Sequence, residues 1–280
     1  MPKPLRVVLD SNVFSPDHFP TLKQSRFLEL VKSRAIVPVF PAVMMEETLR
    51  AFHGQSRTML LTEWLPFILE TRVQFCVELP EIWRRELILR KGMDASEYLS
   101  ATHQRNLVHV LRTLPVDGSS SLMEKVLPGW LRGDEQRKLT RKATIALRRH
   151  PLPANSRPLE ETLPQLQLAA ANRLISFITP HKNVARNLLA RWQVNRLKYP
   201  FFTQAVDDHV FQPLLPLVDH RAAVDYNARP DLDILVHLVR ADVLVTNETR
   251  FMARAFDEIW KPRGRLRFST PEFVATLGCR

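Results

Sequence analysis

The stretch Val7-Val8-Leu9-Asp10-Ser11-Asn12-Val13-Phe14 decides how the rest of this chain is read. An apolar run ends in a carboxylate, passes through Ser-Asn and turns apolar again. Such a run predicts a buried strand, because a sheet covered on both faces uses continuous rather than alternating apolar sequence. Its last residue then delivers Asp10 to the edge of the sheet. A carboxylate taken out of water needs a partner, since left alone it costs several kcal/mol or takes up a proton. A bound cation meets that need, and so does a salt bridge or a helix cap. The stretch alone leaves both open.

Outward from it, the same alternation marks both ends of the chain. The first strand spans about 6–10. A helix over 22–31 puts Phe27, Leu28, Leu30 and Val31 on one side. A β-rich run covers 35–40, and Pro41 opens a helix to about Phe52, since proline is favoured in a first helical turn. At the far end, Pro230-Asp231 starts a helix to about Val239, with acids where the helix dipole favours them. Then come an apolar strand at 243–246, a helix over 249–260, a short strand at 266–269 and a helix from Thr270-Pro271-Glu272. Continuous apolar strands alternating with helices predict an α/β fold with a parallel sheet covered on both faces. Residues 75–205 lack this rhythm. They read as helical, broken by Pro115, by 118–121, by Pro128-Gly129 and by 151–158. The expected organisation is an α/β core from 1–75 and 205–280 carrying a helical insertion over 76–204.

Composition narrows the function. Of 280 residues 45% are hydrophobic, ample for a core. No segment approaches the roughly 18 apolar residues of a membrane span, and Met1-Pro2-Lys3-Pro4 lacks the apolar region of a signal peptide. Cys76 and Cys279 are the only cysteines, so neither a disulfide framework nor a zinc knuckle is expected. These features predict a cytoplasmic protein without membrane association. The seven glycines form no G-x-G-x-x-G, no Walker loop and no G-x-S-x-G, which argues against dinucleotide enzymes, P-loop enzymes and serine hydrolases. The histidines show no H-E-x-x-H spacing, and His237 reads as a satisfied core histidine.

Charge is unevenly placed. Residues 81–200 hold 21 Lys/Arg against 10 Asp/Glu, which accounts for the whole net charge of +11. A localised positive field favours a polyanion, because neutralising phosphates releases counterions. The most basic piece carries Arg132, Arg137, Lys138, Arg141, Lys142, Arg148 and Arg149, with Arg137, Arg141 and Arg148 close to one helical face. This run is the expected nucleic-acid contact; the plainer alternative is a solvated helix face. Trp83, Trp130 and Trp192 offer stacking for bases, although core packing is their plainer reading.

Four carboxylate stations fall at equivalent places in the expected α/β core. Asp10 ends the first strand. Glu46 and Glu47 lie in the helix after the second, with Glu46 the solvated neighbour. Asp231 and Asp233 open the helix before the next strand, and Glu248 follows that strand. Asp231 also reads as a helix cap, and Asp207-Asp208 as a turn or cap rather than an added ligand. In an open parallel sheet, strand C-termini and helix N-termini meet at one edge, where ligands bind. Carboxylates gathered there repel each other unless a divalent cation neutralises them or some hold protons. Oxygen ligands suit Mg²⁺ or Mn²⁺, and a metal so held supports phosphodiester hydrolysis.

Here the chain resembles a known family. The segment Leu9 to Phe14 is similar to the opening motif of PIN-domain nucleases. Pro41 to Phe52, with Glu47 before Thr48-Leu49, resembles their second acidic motif. Asp231 with its helix, and Leu244-Val245-Thr246-Asn247-Glu248-Thr249-Arg250-Phe251, resemble the third and fourth. Phe268-Ser269-Thr270-Pro271-Glu272-Phe273 resembles the closing strand and helix. The resemblance covers about 6–52 and 225–277, under half the chain. It implies a three-layer α/β/α sandwich and Mg²⁺- or Mn²⁺-dependent endoribonuclease activity. It also implies a catalytic site lined by Asp10, Glu47, Asp231 and Glu248, with Asn12 and Thr246 orienting the acids. The third metal ligand is either Asp231 or Asp233, which two residues apart on a helix cannot both point the same way. Many such proteins are toxins of toxin–antitoxin pairs, so an antitoxin or other protein partner and a homo-oligomer remain open. Glu248 stands where the family usually has Asp, and the insertion far exceeds that of compact toxins. Two alternatives to an RNA nuclease stay in view: a DNA nuclease on the same fold, and an inactive PIN-like module that binds nucleic acid.

Overall fold

The structure, a computed structural model, describes residues 3–117, 159–218 and 228–278. They fall into two compact units. One holds 3–77, 98–117 and 240–278; the other holds 78–97, 159–218 and 228–239.

The first unit is α/β. Strands β1 (Leu5–Leu9), β2 (Ile36–Val39), β3 (Val243–Val245) and β4 (Leu266–Phe268) form a parallel sheet in the order β2-β1-β3-β4. The two central strands are the most apolar: Val7, Val8, Leu9, Leu244 and Val245 are completely buried. Pro38, which has no N–H, sits in β2, an end strand of this sheet, where the missing donor is tolerated. The register pairs Leu9 with Val245 and Val245 with Phe268. Residues following these pairs therefore leave the sheet side by side at its C-terminal edge.

The same unit carries the short helices α1 (Phe19–Lys23), α2 (Phe27–Lys32, packed on β2), α3 (Ala42–Leu49), α4 (Arg57–Met59) and α5 (Leu65–Glu70). A π-helical stretch, Leu60–Trp64, joins the last two. The single helix expected over 22–31 is two helices. The Ser25 hydroxyl donates to the Leu22 carbonyl at 2.7 Å and accepts from the Phe27 amide at 3.2 Å, a local side-chain turn between the two helices. An aromatic cluster of Phe14, Phe19, Phe27, Phe67 and Phe273 fills the space beneath, with Phe19 edge-on to Phe67 at 5.2 Å.

The second unit is helical in its described residues. It contains α6 (Leu79–Leu87), α8 (Leu159–Ser176), α9 (Lys182–Val194), α10 (Pro200–Val218) and α11 (Ala228–Leu235). The long α7 (Ala101–Asp117), with α12 (Phe251–Ile259) and α13 (Thr270–Leu277), belongs to the sheet unit. Trp83 and Trp192 are buried against Phe202 at 6.1 and 5.7 Å, so both pack the interior rather than offer stacking surfaces. Glu86 is buried and its two carboxylate oxygens accept the Phe201 and Phe202 amides at 3.1 and 2.8 Å, capping α10. His237 lies buried 3.3 Å from Glu97 and edge-on to Phe201, a partnered interior histidine. Among the described residues no helix is long and apolar enough to cross a membrane.

Packing thus divides the chain at positions other than 75 and 205. Residues 98–117 go with the sheet, and 205–218 and 228–239 go with the helices.

Candidate active site

The register of β1 and β3 builds the site. Asp10 follows Leu9 and its amide donates to the Val245 carbonyl at 3.0 Å; Thr246 follows Val245 and donates to Phe268 at 3.0 Å. The two side chains meet, and the Thr246 hydroxyl donates to Asp10 Oδ2 at 2.7 Å. The Thr246 oxygen in turn accepts from Asn12 Nδ2 and from the Glu248 amide, both at 3.1 Å. Asn12 Oδ1 accepts the Asn247 amide at 3.0 Å, so its amide is fixed on both sides. Asn247 clamps the next element, donating to Thr270 Oγ1 and accepting from its amide, each at 2.9 Å. Each hydroxyl or amide of this chain of bonds has one consistent assignment, which makes the orientation of Asp10 rigid.

Glu47 approaches from α3. The Ser11 hydroxyl donates to Glu47 Oε2 at 2.8 Å and lies 3.4 Å from Asp10 Oδ1. A hydroxyl has one proton, so the short contact takes it and Asp10 Oδ1 keeps lone-pair capacity. Asp10 is only 4% exposed and forms no ion pair among the described residues. Burial pushes its carboxyl up to about 6; the Thr246 hydrogen bond opposes this, and the nearby Glu47 charge adds to it. Two carboxylates, one deeply buried and without a basic partner among the described residues, share one serine at the edge of a parallel sheet. Ser11 stands within the motif that drew attention to Asp10, yet its bridging role depends on where α3 falls, which no local signal gives.

The other expected acids are engaged differently. Glu248 Oε1 accepts the Arg250 amide at 2.6 Å and Oε2 accepts the Ala253 amide at 3.2 Å. The carboxylate expected as the fourth ligand thus caps the start of α12, which begins at Phe251 rather than at 249. Glu46 pairs with Arg50 at 3.2 Å, the role of a surface neighbour. Asp231 and Asp233 belong to the helical unit, on α11: Asp231 is half-buried in its first turn, and Asp233 pairs with Arg229 at 2.7 Å.

Asp207 and Asp208 are neither turn nor cap. Helix α10 runs through them, and Asp208 is completely buried. Its Oδ1 accepts from Gln204 at 2.7 Å, and its Oδ2 has no hydrogen-bond donor among the described residues. Burial, opposed by Gln204 and Arg229, lifts its carboxyl to about 8, and burial with the Arg229 charge lowers His209 to about 3. The cationic run of Arg132, Arg137, Lys138, Arg141, Lys142, Arg148 and Arg149, and Trp130, lie outside the described residues. Compared with known proteins, the chain matches no protein family, no curated protein and no solved structure.

Proposed function

We propose that this protein is a metal-dependent endonuclease with a PIN-like α/β/α core, acting first on RNA, whose cation is held by Asp10 and Glu47. One observation carries the reading: Asp10, which has no basic partner among the described residues, is buried beside a second carboxylate, Glu47. That arrangement is costly by itself and becomes favourable with a divalent ion. The donors at hand, two carboxylates and the Ser11 hydroxyl, are all hard oxygens and fit Mg²⁺ or Mn²⁺. When bound, such an ion polarises a phosphate oxygen and lowers the pKa of a water.

The chain's own residues do the rest. Thr246 and Asn12 fix the Asp10 carboxyl in one orientation, and Ser11 fixes Glu47 relative to it. At neutral pH Asp10 is mainly ionised, because its carboxyl titrates near 6. A base beyond the carboxylates is not required.

The engagement of Glu248 as a cap and of Asp233 with Arg229 favours a second reading, a PIN-like module that binds nucleic acid without cutting it. Labelled single-stranded RNA and DNA, incubated with Mn²⁺ or EDTA, separate the two. Cleavage should need Mn²⁺ and should disappear in Asp10→Asn. Preference for RNA would show as slower loss of the DNA strand, since the 2′-hydroxyl is the group that differs. Binding with no cleavage at any metal concentration would favour the module. Cleavage that persists in both EDTA and the variant would refute the metal mechanism.

A further inference from the structure

We propose that the outer face of α9 in the helical unit, continued by the turn after it, is a docking surface for the backbone of a single nucleic-acid strand. The inference rests on nucleic acid being the partner, as above, and not on cleavage. Residues 162–206 contain no Asp or Glu, yet they carry Arg173, Lys182, Arg186, Arg191, Arg196 and Lys198. Two of these arginines are spent on the fold. Arg191 donates to the Leu87 carbonyl at 3.0 Å, tying α9 to the end of α6. Arg196 lies over the Trp192 ring at 4.5 Å and donates to Gln167 at 2.7 Å.

Lys182, Arg186 and Lys198 are exposed and form no ion pair among the described residues. At 100° per residue, Lys182, Arg186 and Gln193 fall in line along α9, with Asn183, Asn187 and Val194 beside them and buried Leu188 and Trp192 opposite. The face is therefore a contiguous strip of cations and amide donors about 18 Å long, with no carboxylate on it.

The strip continues past the helix. Gly92 adopts φ +51°, and a Cβ there would lie 3.0 Å from both the Lys198 side chain and its carbonyl. The turn bearing exposed Arg90 and Lys91 thus packs directly on Lys198; Asp94 is the one carboxylate in that turn. Val194 and Leu197, 87% and 85% exposed, and Met93 at 66%, interleave with the cations. Apolar side chains among unpaired Lys, Arg and Asn suit a strand that offers phosphates and flat base faces together. The charge match selects a polyanion, and sequence-independent contact follows because phosphates carry no sequence information.

The test uses the full chain in EDTA, with a labelled single strand followed by anisotropy from about 50 to 200 mM salt. The variant is Lys182→Ala, Arg186→Ala and Lys198→Ala together, all at exposed positions, with thermal melting as the folding control. The slope of log K against log salt should fall by about 2, since each single-strand phosphate contact contributes about 0.7. A wild-type slope in a folded variant would overturn the surface. So would displacement of the strand by poly-glutamate at the same charge concentration, which would give the face to an acidic protein instead. Wild-type protein that cleaves with Mn²⁺ while the variant keeps its slope loses this surface only. Protein that binds through α9 and never cleaves loses the nuclease reading only.

Discussion

Asp10 is held where burial and the Glu47 charge both oppose ionisation. Its folded value of about 6 lies above the ordinary 3.8, so the folded protein holds this proton more tightly than the unfolded chain does. The stabilisation from the protonated form is complete below about pH 4 and is lost as pH rises through 6. The fall amounts to about 3 kcal/mol. Asp10→Asn should flatten stability against pH across that window, read by denaturant melts at several pH values; an unchanged profile would place the titration elsewhere. A divalent ion prefers the carboxylate, so its stabilising effect should grow above pH 6 and fade below it. Thr246→Val removes the donor that keeps Asp10 acidic and should move that onset to higher pH. Asp10 and Glu47 were legible as residues because each follows or flanks an apolar run with a strong element signal. The Ser11 bridge and the buried Asp208 were not: both depend on which helix arrives next to them.

A helix start offers a sharper contrast between cap and ligand. The Glu248 carboxylate accepts two amides at the head of α12, so Glu248→Ala should cost about 1 kcal/mol, the usual effect of losing a cap. It should leave Mn²⁺-induced stabilisation near the wild-type value. Loss of that stabilisation with little change in the metal-free melt would make Glu248 a ligand instead. Strands β1, β2 and β3 were readable because buried parallel strands write themselves as continuous apolar runs. Helix ends were less so. Ser25 splits one expected helix through a side-chain hydrogen bond, and α10 absorbs Asp207-Asp208, which read locally as turn formers. There the packing of a long apolar helix outweighs local preference.

Composition marks boundaries at 75 and 205, whereas packing marks them at 77, 98 and 240. The reason is physical: α6, α10 and α11 pack against other helices, and that choice of neighbour leaves no trace in local composition. The division also parts the expected acids, with Asp10, Glu47 and Glu248 in the sheet unit and Asp231 and Asp233 in the helical one. Each unit contains its own buried carboxyl with a raised value, so each should respond to pH separately. Asp208 titrates near 8, so its contribution to the helical unit is complete below about pH 4 and lost as pH rises through 8. Asp208→Asn should therefore slow hydrogen exchange in α10 relative to wild type above pH 8 and leave the sheet unit unchanged. Equal exchange in the two proteins at that pH would deny Asp208 this role. Most direct for the nuclease reading is Mn²⁺ titration of the full chain at neutral pH, followed by electron paramagnetic resonance. Wild type should show a saturable site that is lost in both Asp10→Asn and Glu47→Gln. Undiminished Mn²⁺ affinity in the two folded variants would mean that these carboxylates do not share an ion.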